Sequence, residues 1–173
     1  MTLITSKVCV VGDFAVGKTS VVERFVNNQF SEKYLTTIGV KVDTKEIDLP
    51  LRHVTQKLII WDVAGSDHFG DSEIAYLRGS AGFIFVVDGT RPQTLKTARS
   101  LRRQIEAKYD RRPSVMLANK KDLTNAWEIS ADQIESLADD YDAVYRTSAK
   151  TGDDIETALI RLADLIVGRE LHE

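Results

Sequence analysis

Eight residues, Gly12-Asp13-Phe14-Ala15-Val16-Gly17-Lys18-Thr19, stand between the apolar run Val8-Cys9-Val10-Val11 and a segment with helical spacing. They constrain the fold more than any other stretch. The pattern G-x-x-x-x-G-K-[ST] at a strand-to-helix junction makes a loop whose successive backbone N–H groups, released by glycine and backed by a helix N-terminus, wrap phosphate oxygens. Lys18 then adds charge at the β and γ positions of a nucleotide. The Thr19 hydroxyl, followed by Ser20, is placed to ligate the Mg²⁺ that bridges those oxygens. Adenine and guanine nucleotides are equal candidates at this point.

Such a loop belongs on a parallel sheet, and the remaining sequence supplies one. Short apolar runs alternate with helical segments along the whole chain, as in a sheet covered by helices on both faces. Strands are expected at Lys7–Val11, Val40–Leu49, Gln56–Asp62, Gly82–Asp88, Val115–Asn119 and Ala143–Thr147. Several are continuously apolar, as strands buried on both faces must be. Helices are expected to start near Lys18, Glu73, Gln93, Ser130 and Asp153. Leu95, Ala98, Leu101 and Ile105 keep helical spacing, as do Ile155, Leu159, Leu162 and Ile166, so each helix has an apolar stripe for the sheet. Pro50 to His53 are too few for a crossover helix, so the second and third strands form an antiparallel hairpin. The expectation is a three-layer α/β/α fold of the P-loop NTPase type: six strands, mostly parallel with one antiparallel edge strand, and about five helices in a single domain over residues 1–173.

With 173 residues and 43% hydrophobic content the chain can fill one substantial core without disulfides. Its one cysteine, Cys9, reads as a small core residue in a reducing, cytoplasmic setting. A formal net charge of −3 gives no field that would favour nucleic acid as a partner. No apolar stretch approaches the roughly 20 residues of a membrane span. Leu171-His172-Glu173 offers no cysteine for prenylation and residue 2 is Thr, so no lipid anchor is expected. Lys96, Arg99, Arg102, Arg103, Lys108, Arg111 and Arg112 face only Glu106 and Asp110 in the third helix and its following loop. A solvated helix face is the first reading of this run, and a docking site the second.

The base is decided by Asn119-Lys120-Lys121-Asp122, which ends an apolar strand. The Asp122 carboxylate can accept from both N1–H and the 2-amino group of guanine, a pair of donors adenine lacks. A wrong base would leave that carboxylate unpaired, so discrimination is strong. Thr147-Ser148-Ala149-Lys150 follows the next strand and offers a backbone N–H for guanine O6.

In the order and setting of these motifs, the chain from Lys7 to Val167 resembles the Ras-like small GTPases. The matching elements are the loop Gly12–Thr19, Thr37 within Tyr34-Leu35-Thr36-Thr37-Ile38-Gly39, Asp62-Val63-Ala64-Gly65, Asn119 to Asp122, and Ser148-Ala149-Lys150. The resemblance implies a GTP/GDP switch. Thr37 would be a ligand of magnesium and the γ-phosphate, Asp62 would hold magnesium through water, and the Gly65 N–H would touch the γ-phosphate. Tyr34 would lie at the nucleotide, with Lys120 and Lys150 beside the base motifs. Phe30 looks like the aromatic that packs on the guanine edge, with a core anchor as its other reading. Phe30-Ser31-Glu32, Thr37-Ile38-Gly39-Val40, Ile60-Trp61-Asp62 and Tyr76-Leu77-Arg78-Gly79 look Rab-like, and bacterial Ras-like GTPases are also compatible. Effectors, an exchange factor and an activating protein are the partners this implies. Trp61 and Tyr76 are candidate effector contacts, although Val42 replaces the customary Phe of that set.

Two positions depart from the family pattern where hydrolysis is decided. Ser66 follows Asp62-Val63-Ala64-Gly65, where a Gln usually orients the attacking water. Its hydroxyl is too short to hold a water from the same backbone position. Phe14 stands where the family prefers glycine, close to where a partner's arginine would enter. Asp67 and His68 are alternative water-positioning groups, and His68 reads equally as an exposed loop residue. Two functions are therefore expected from the resemblance: a slow GTPase with Lys18, Thr37, Gly65 and Ser66 at the chemistry, or a nearly inactive GTP-bound binding module. A nucleotide kinase would need a lid over an acceptor substrate, and the chain offers none.

Overall fold

The computed structural model describes residues 1–31, 37 and 39–172. Strands β1 (Thr2–Val11), β2 (Val40–Leu49), β3 (Val54–Val63), β4 (Gly82–Asp88), β5 (Ser114–Asn119) and β6 (Ala143–Arg146) alternate with helices α1 (Lys18–Asn27), α2 (Asp71–Tyr76), α3 (Gln93–Tyr109), α4 (Ala131–Ser136) and α5 (Ile155–His172). The sheet order is β2-β3-β1-β4-β5-β6. All pairings are parallel except β2 with β3, where Val40 lies opposite Val63 and Leu49 opposite Val54. A 3₁₀ turn at Pro50–Arg52 closes that hairpin, with His53 in the left-handed region at φ 54°.

The alternation of side chains across the strands splits the core into two layers. Val8, Val10, Leu58, Ile60, Ile84 and Leu117 face α1 and α5, where they meet Phe25, Leu159, Leu162 and Ile166. Cys9, Val11, Phe83, Phe85 and Met116 face the other way, toward Leu95, Ala98, Leu101 and Ile105 of α3. Full burial of each such aliphatic side chain contributes about 1.5–3 kcal/mol, so the central strands carry the stability. Cys9 is fully buried and burial raises its thiol to about 11, consistent with a core residue. None of the described helices is long and apolar enough to cross a membrane.

The expected elements are all present, and their ends differ where packing overrides pattern. β1 begins at Thr2 rather than Lys7, because Thr2 to Lys7 pair with β3 alone while β4 joins only from Val8. That stretch is half-exposed and mixed in polarity, so it lacks a buried strand's signature. α2 starts at Asp71 and runs six residues. Ser130 caps α4 in a reciprocal capping box with Gln133.

Much of the basic run on α3 is turned toward α4. Arg102 donates to the Asp140 carbonyl at 2.7 Å and pairs with the Asp140 carboxylate at 3.2 Å, and its guanidinium lies 5.3 Å from the Tyr141 ring. Arg111 pairs with Asp142 at 3.8 Å. Lys96, Arg103 and Lys108 have no partner among the described residues and lie in solvent.

Candidate functional site

In parallel α/β sheets the crevice beyond the carboxyl ends of the strands is where loops gather. Here the loops after β1, β3, β5 and β6 enclose a cleft of about 320 Å³. Phe14, Ala15, Gly17, Lys18, Thr19 and Ser20 line its floor, Thr37 and Gly65 one end, and Asp122, Leu123, Ala149 and Lys150 the other. Phe30, Asn119 and Lys120 complete the wall. Phe30 also packs against the layer under α1, so both of its expected roles fit its position. Asp13, Val16 and Ser148 are buried, and their side chains support the wall. Tyr34 lies outside the described residues.

The phosphate loop has an unequal hydrogen-bond inventory. Each carbonyl from Gly12 to Gly17 is taken: Gly12 O by Lys18 Nζ at 3.3 Å and Ser66 N at 3.2 Å, Asp13 O by Lys18 Nζ at 2.9 Å, Phe14 O by Arg91 Nη2 at 2.6 Å, Ala15 O by Lys120 Nζ at 2.8 Å, Val16 O by Asn119 Nδ2 at 3.0 Å, and Gly17 O by Val21 N at 2.8 Å. The amide N–H groups of Ala15, Val16, Gly17, Lys18 and Thr19 find no acceptor among the described residues. Opposite ends of a trans peptide point in opposite directions, so holding the carbonyls outward turns these amides toward the cleft. Five open donors at the N-terminus of α1 form an anion-binding concavity.

Glycine is required at two points of this wall. Gly17 has φ 100°, and a Cβ on it would stand 2.3 Å from Asn119 Nδ2. A Cβ on Gly65 would stand 2.8 Å from Phe14 Cα and 3.0 Å from Lys18 Nζ. The backbone of Gly65 thus closes directly on the loop and its lysine.

Burial dominates the electrostatics. It lowers Lys18 from 10.5 to about 8, against the raising effect of Asp62 and Asp13, and Arg91 lowers it further. Asp62, fully buried, is raised by burial in spite of the hydroxyls donating to it. Thr19 Oγ1 donates to Asp62 Oδ2 at 2.5 Å, Thr37 Oγ1 donates to the same oxygen at 3.3 Å, and the two hydroxyls are 2.5 Å apart. Asp62 Oδ1 is buried without a partner among the described residues. Two hydroxyls and a carboxylate with an orphaned oxygen form a hard-oxygen donor set that fits a magnesium ion.

At the other end Asn119 ties three segments together: Nδ2 donates to Val16 O, and Oδ1 accepts from Thr147 Oγ1 and Ala149 N, each at 3.2 Å. Asp122 Oδ1 accepts from Ser148 Oγ at 2.7 Å, and its second oxygen has no partner among the described residues. Arg24 of α1 holds the Ala149 and Lys150 carbonyls at 2.8 and 2.5 Å, fixing the Ser148–Lys150 turn.

Ser66 does not point along the cleft. Its hydroxyl donates to the His68 carbonyl at 2.5 Å and accepts from His68 N at 3.2 Å. Asp67 and His68 are exposed. The next residue, Phe69, is buried and pinned to α3 by Gln104, which accepts from Phe69 N and donates to Phe69 O. Trp61 and Tyr76 stand together outside the cleft with ring centroids 6.4 Å apart. Lys7 lies 3.7 Å over the Trp61 ring and donates to the carbonyls of Tyr76 and Arg78. Val42 is exposed opposite Trp61 on the edge strand.

Reasoning from sequence missed Asp88, Arg91 and Thr97. Asp88 Oδ2 accepts from Lys120 at 2.8 Å and Arg91 at 3.0 Å, while Oδ1 accepts from Thr90. Burial pushes this carboxyl up, but those bonds outweigh burial and hold it below the usual range. Thr97 donates to Asp13 Oδ2 at 2.8 Å. An Asp at the end of β4 beside the loop was the one signal available.

A layered α/β sheet with an amide-lined loop at the head of α1 defines a nucleotide-binding domain, and comparison with known proteins places it more narrowly. The Ras family model matches residues 7–168. Ras-related protein Rab-27B of Homo sapiens is 33% identical over 174 residues, covering 94% of this chain and 80% of that protein. Ras-related protein Rab7 of Drosophila melanogaster is 37% identical over 159 residues, covering 88% and 75%. GTP-binding protein yptV2 of Volvox carteri is 34% identical over 166 residues, covering 94% and 76%. The chain belongs to the Ras family of small GTPases.

Proposed function

We propose that this small GTPase is a switch that binds GTP or GDP with Mg²⁺ and hydrolyses GTP slowly. The observation that carries the reading is the loop in which every carbonyl from Gly12 to Gly17 is taken and the amides of Ala15 to Thr19 are open. Those amides and Lys18 would bind the phosphates, and Asp122, with one oxygen held by Ser148, would accept from guanine through the other. Asn119 and Lys120 act by bracing the loop, and the Ala149 N–H borders the base end.

Thr19, Thr37 and Asp62 would hold the magnesium. Bound there, the ion neutralises charge on the phosphate oxygens. With GTP bound, Thr37 and the Gly65 amide would be drawn to the γ-phosphate, and hydrolysis would release them. Trp61, Tyr76 and the neighbouring Val42 would then present the altered surface to effectors, and the setting is cytoplasmic.

Ser66 supports slow chemistry, because its hydroxyl is engaged with its own loop and is not free to orient water from that position. The same fact favours a second reading, a nearly inactive GTP-bound binding module. Single-turnover hydrolysis separates the two. Measurable turnover no faster than about 10⁻⁴ to 10⁻³ s⁻¹, the range of a Ras-like site without an arginine finger, supports the switch. The absence of turnover over days supports the module.

A further inference from the structure

Three side chains outside the phosphate loop hold three consecutive carbonyls of it: Arg91 on Phe14, Lys120 on Ala15 and Asn119 on Val16. Asn119 and Lys120 belong to the base motif. Arg91 belongs to no motif, and it reaches the loop from the turn between β4 and α3.

Its position is fixed from behind. Asp88, 1% exposed, takes Arg91 Nε at 3.0 Å and Lys120 Nζ at 2.8 Å on one oxygen, while Thr90 occupies the other. The guanidinium therefore bridges a buried carboxylate and the Phe14 carbonyl. The Phe14 end of the cleft is the end opposite Asp122: the backbone of Gly65 closes on Phe14 and Lys18 there, and Thr37 stands beside it. In a nucleotide held by its base at Asp122, that end receives the last phosphate.

We propose that Arg91 is a positioning residue for the terminal phosphate: by holding the Phe14 carbonyl outward it turns the Ala15 amide into the cleft, and it sets a guanidinium behind the loop at that end, within the chain itself. The proposal rests on the reading that the cleft takes GTP and GDP. A cation fixed at the loop acts without the ordering cost of bringing one from a partner, and it favours the nucleotide with the additional phosphate charge. Phe14, 58% exposed, projects from the residue whose carbonyl Arg91 holds.

The test is the ratio of affinities for GDP and a non-hydrolysable GTP analogue, measured with Mg²⁺ on the full chain carrying R91Q, R91K or K108Q. Arg91→Gln is expected to weaken the GTP analogue about tenfold more than GDP, the size of one charge-assisted hydrogen bond. Arg91→Lys keeps the charge and should recover part of that ratio. Lys108→Gln removes a charge at the far end of α3 and should leave the ratio as in wild type. An unchanged ratio in R91Q, an equal loss for both nucleotides, no recovery in R91K, or the same shift in K108Q would each overturn the proposal. Wild-type protein that binds neither nucleotide would instead overturn the underlying reading of the cleft.

Discussion

Ser148 Oγ donates to Asp122 Oδ1 at 2.7 Å, so one carboxylate oxygen is anchored by the turn after β6 and the other has no partner among the described residues. The carboxylate can only accept, and guanine presents two donors to it. Asp122→Asn exchanges an acceptor for an amide that can donate to the 2-oxo group of xanthine. The variant should therefore prefer xanthine over guanine nucleotides by at least about tenfold. Competition titration checks this, and an unchanged preference for GTP over XTP would remove Asp122 from the base site.

Hydrolysis should respond to the two residues that depart from the family pattern. Ser66→Gln introduces an amide long enough to orient a water and should raise the single-turnover rate several-fold. Phe14→Gly removes an exposed ring from the same end of the cleft and should add to the gain. The longer glutamine amide would reach the space that the Phe14 ring borders, so the double variant should exceed either single one and depart from additivity. A wild-type rate near about 1 s⁻¹ without a partner, well above a Ras-like site lacking an arginine finger, and lost in Asp67→Ala or His68→Ala, would show that another group orients the water.

Lys18 sets a pH dependence whose sign follows from its shift to about 8 from 10.5. Between those values the folded, nucleotide-free protein has shed a proton that the unfolded chain keeps, so its stability should rise with pH across the window. Phosphate favours the ammonium form, so affinity for GDP should fall over the same window, with proton uptake on binding. Titrations at pH 7 and pH 9.5 measure it. Lys18→Met should abolish the pH dependence along with most of the affinity.

Gly89 carries a packing constraint next to the site. Its carbonyl accepts from Glu128 N at 2.8 Å and Ile129 N at 3.2 Å, and the Trp127 ring, held through Nε1 to the Ile129 carbonyl, covers it. A Cβ there would stand 1.9 Å from the ring. Gly89→Ala should cost about 1–3 kcal/mol as an overpacked contact, read by denaturant unfolding. Combining it with Trp127→Leu should cost less than the sum of the two changes.

The sequence was legible where one local pattern dictates one geometry. The loop Gly12–Thr19 between an apolar strand and a helix could be read directly, and Asn119, Asp122 and Ser148 to Lys150 announced themselves by following strands. The structure brings them into one cleft. The short link at Pro50 to His53 made the antiparallel hairpin legible as well. The start of β1 was not, because Thr2 to Lys7 have a neighbour on one side only. Arg91 was invisible for a different reason: its meaning depends on Asp88 and on the Phe14 carbonyl, 77 residues away in sequence. A hydrogen bond to a backbone oxygen leaves no residue pattern at its acceptor. The engagement of Ser66 with His68 likewise belongs to the loop's path.

Direct competition between nucleotides tests whether the cleft is built for guanine. Nucleotide-free protein loaded with fluorescent GDP in Mg²⁺ should release it to unlabelled GDP at stoichiometric concentrations. ADP or ATP should need at least about a thousandfold more, as expected when a buried polar group would be left unpaired by the wrong base. Displacement by ATP at concentrations equal to GDP would show that the cleft does not select guanine.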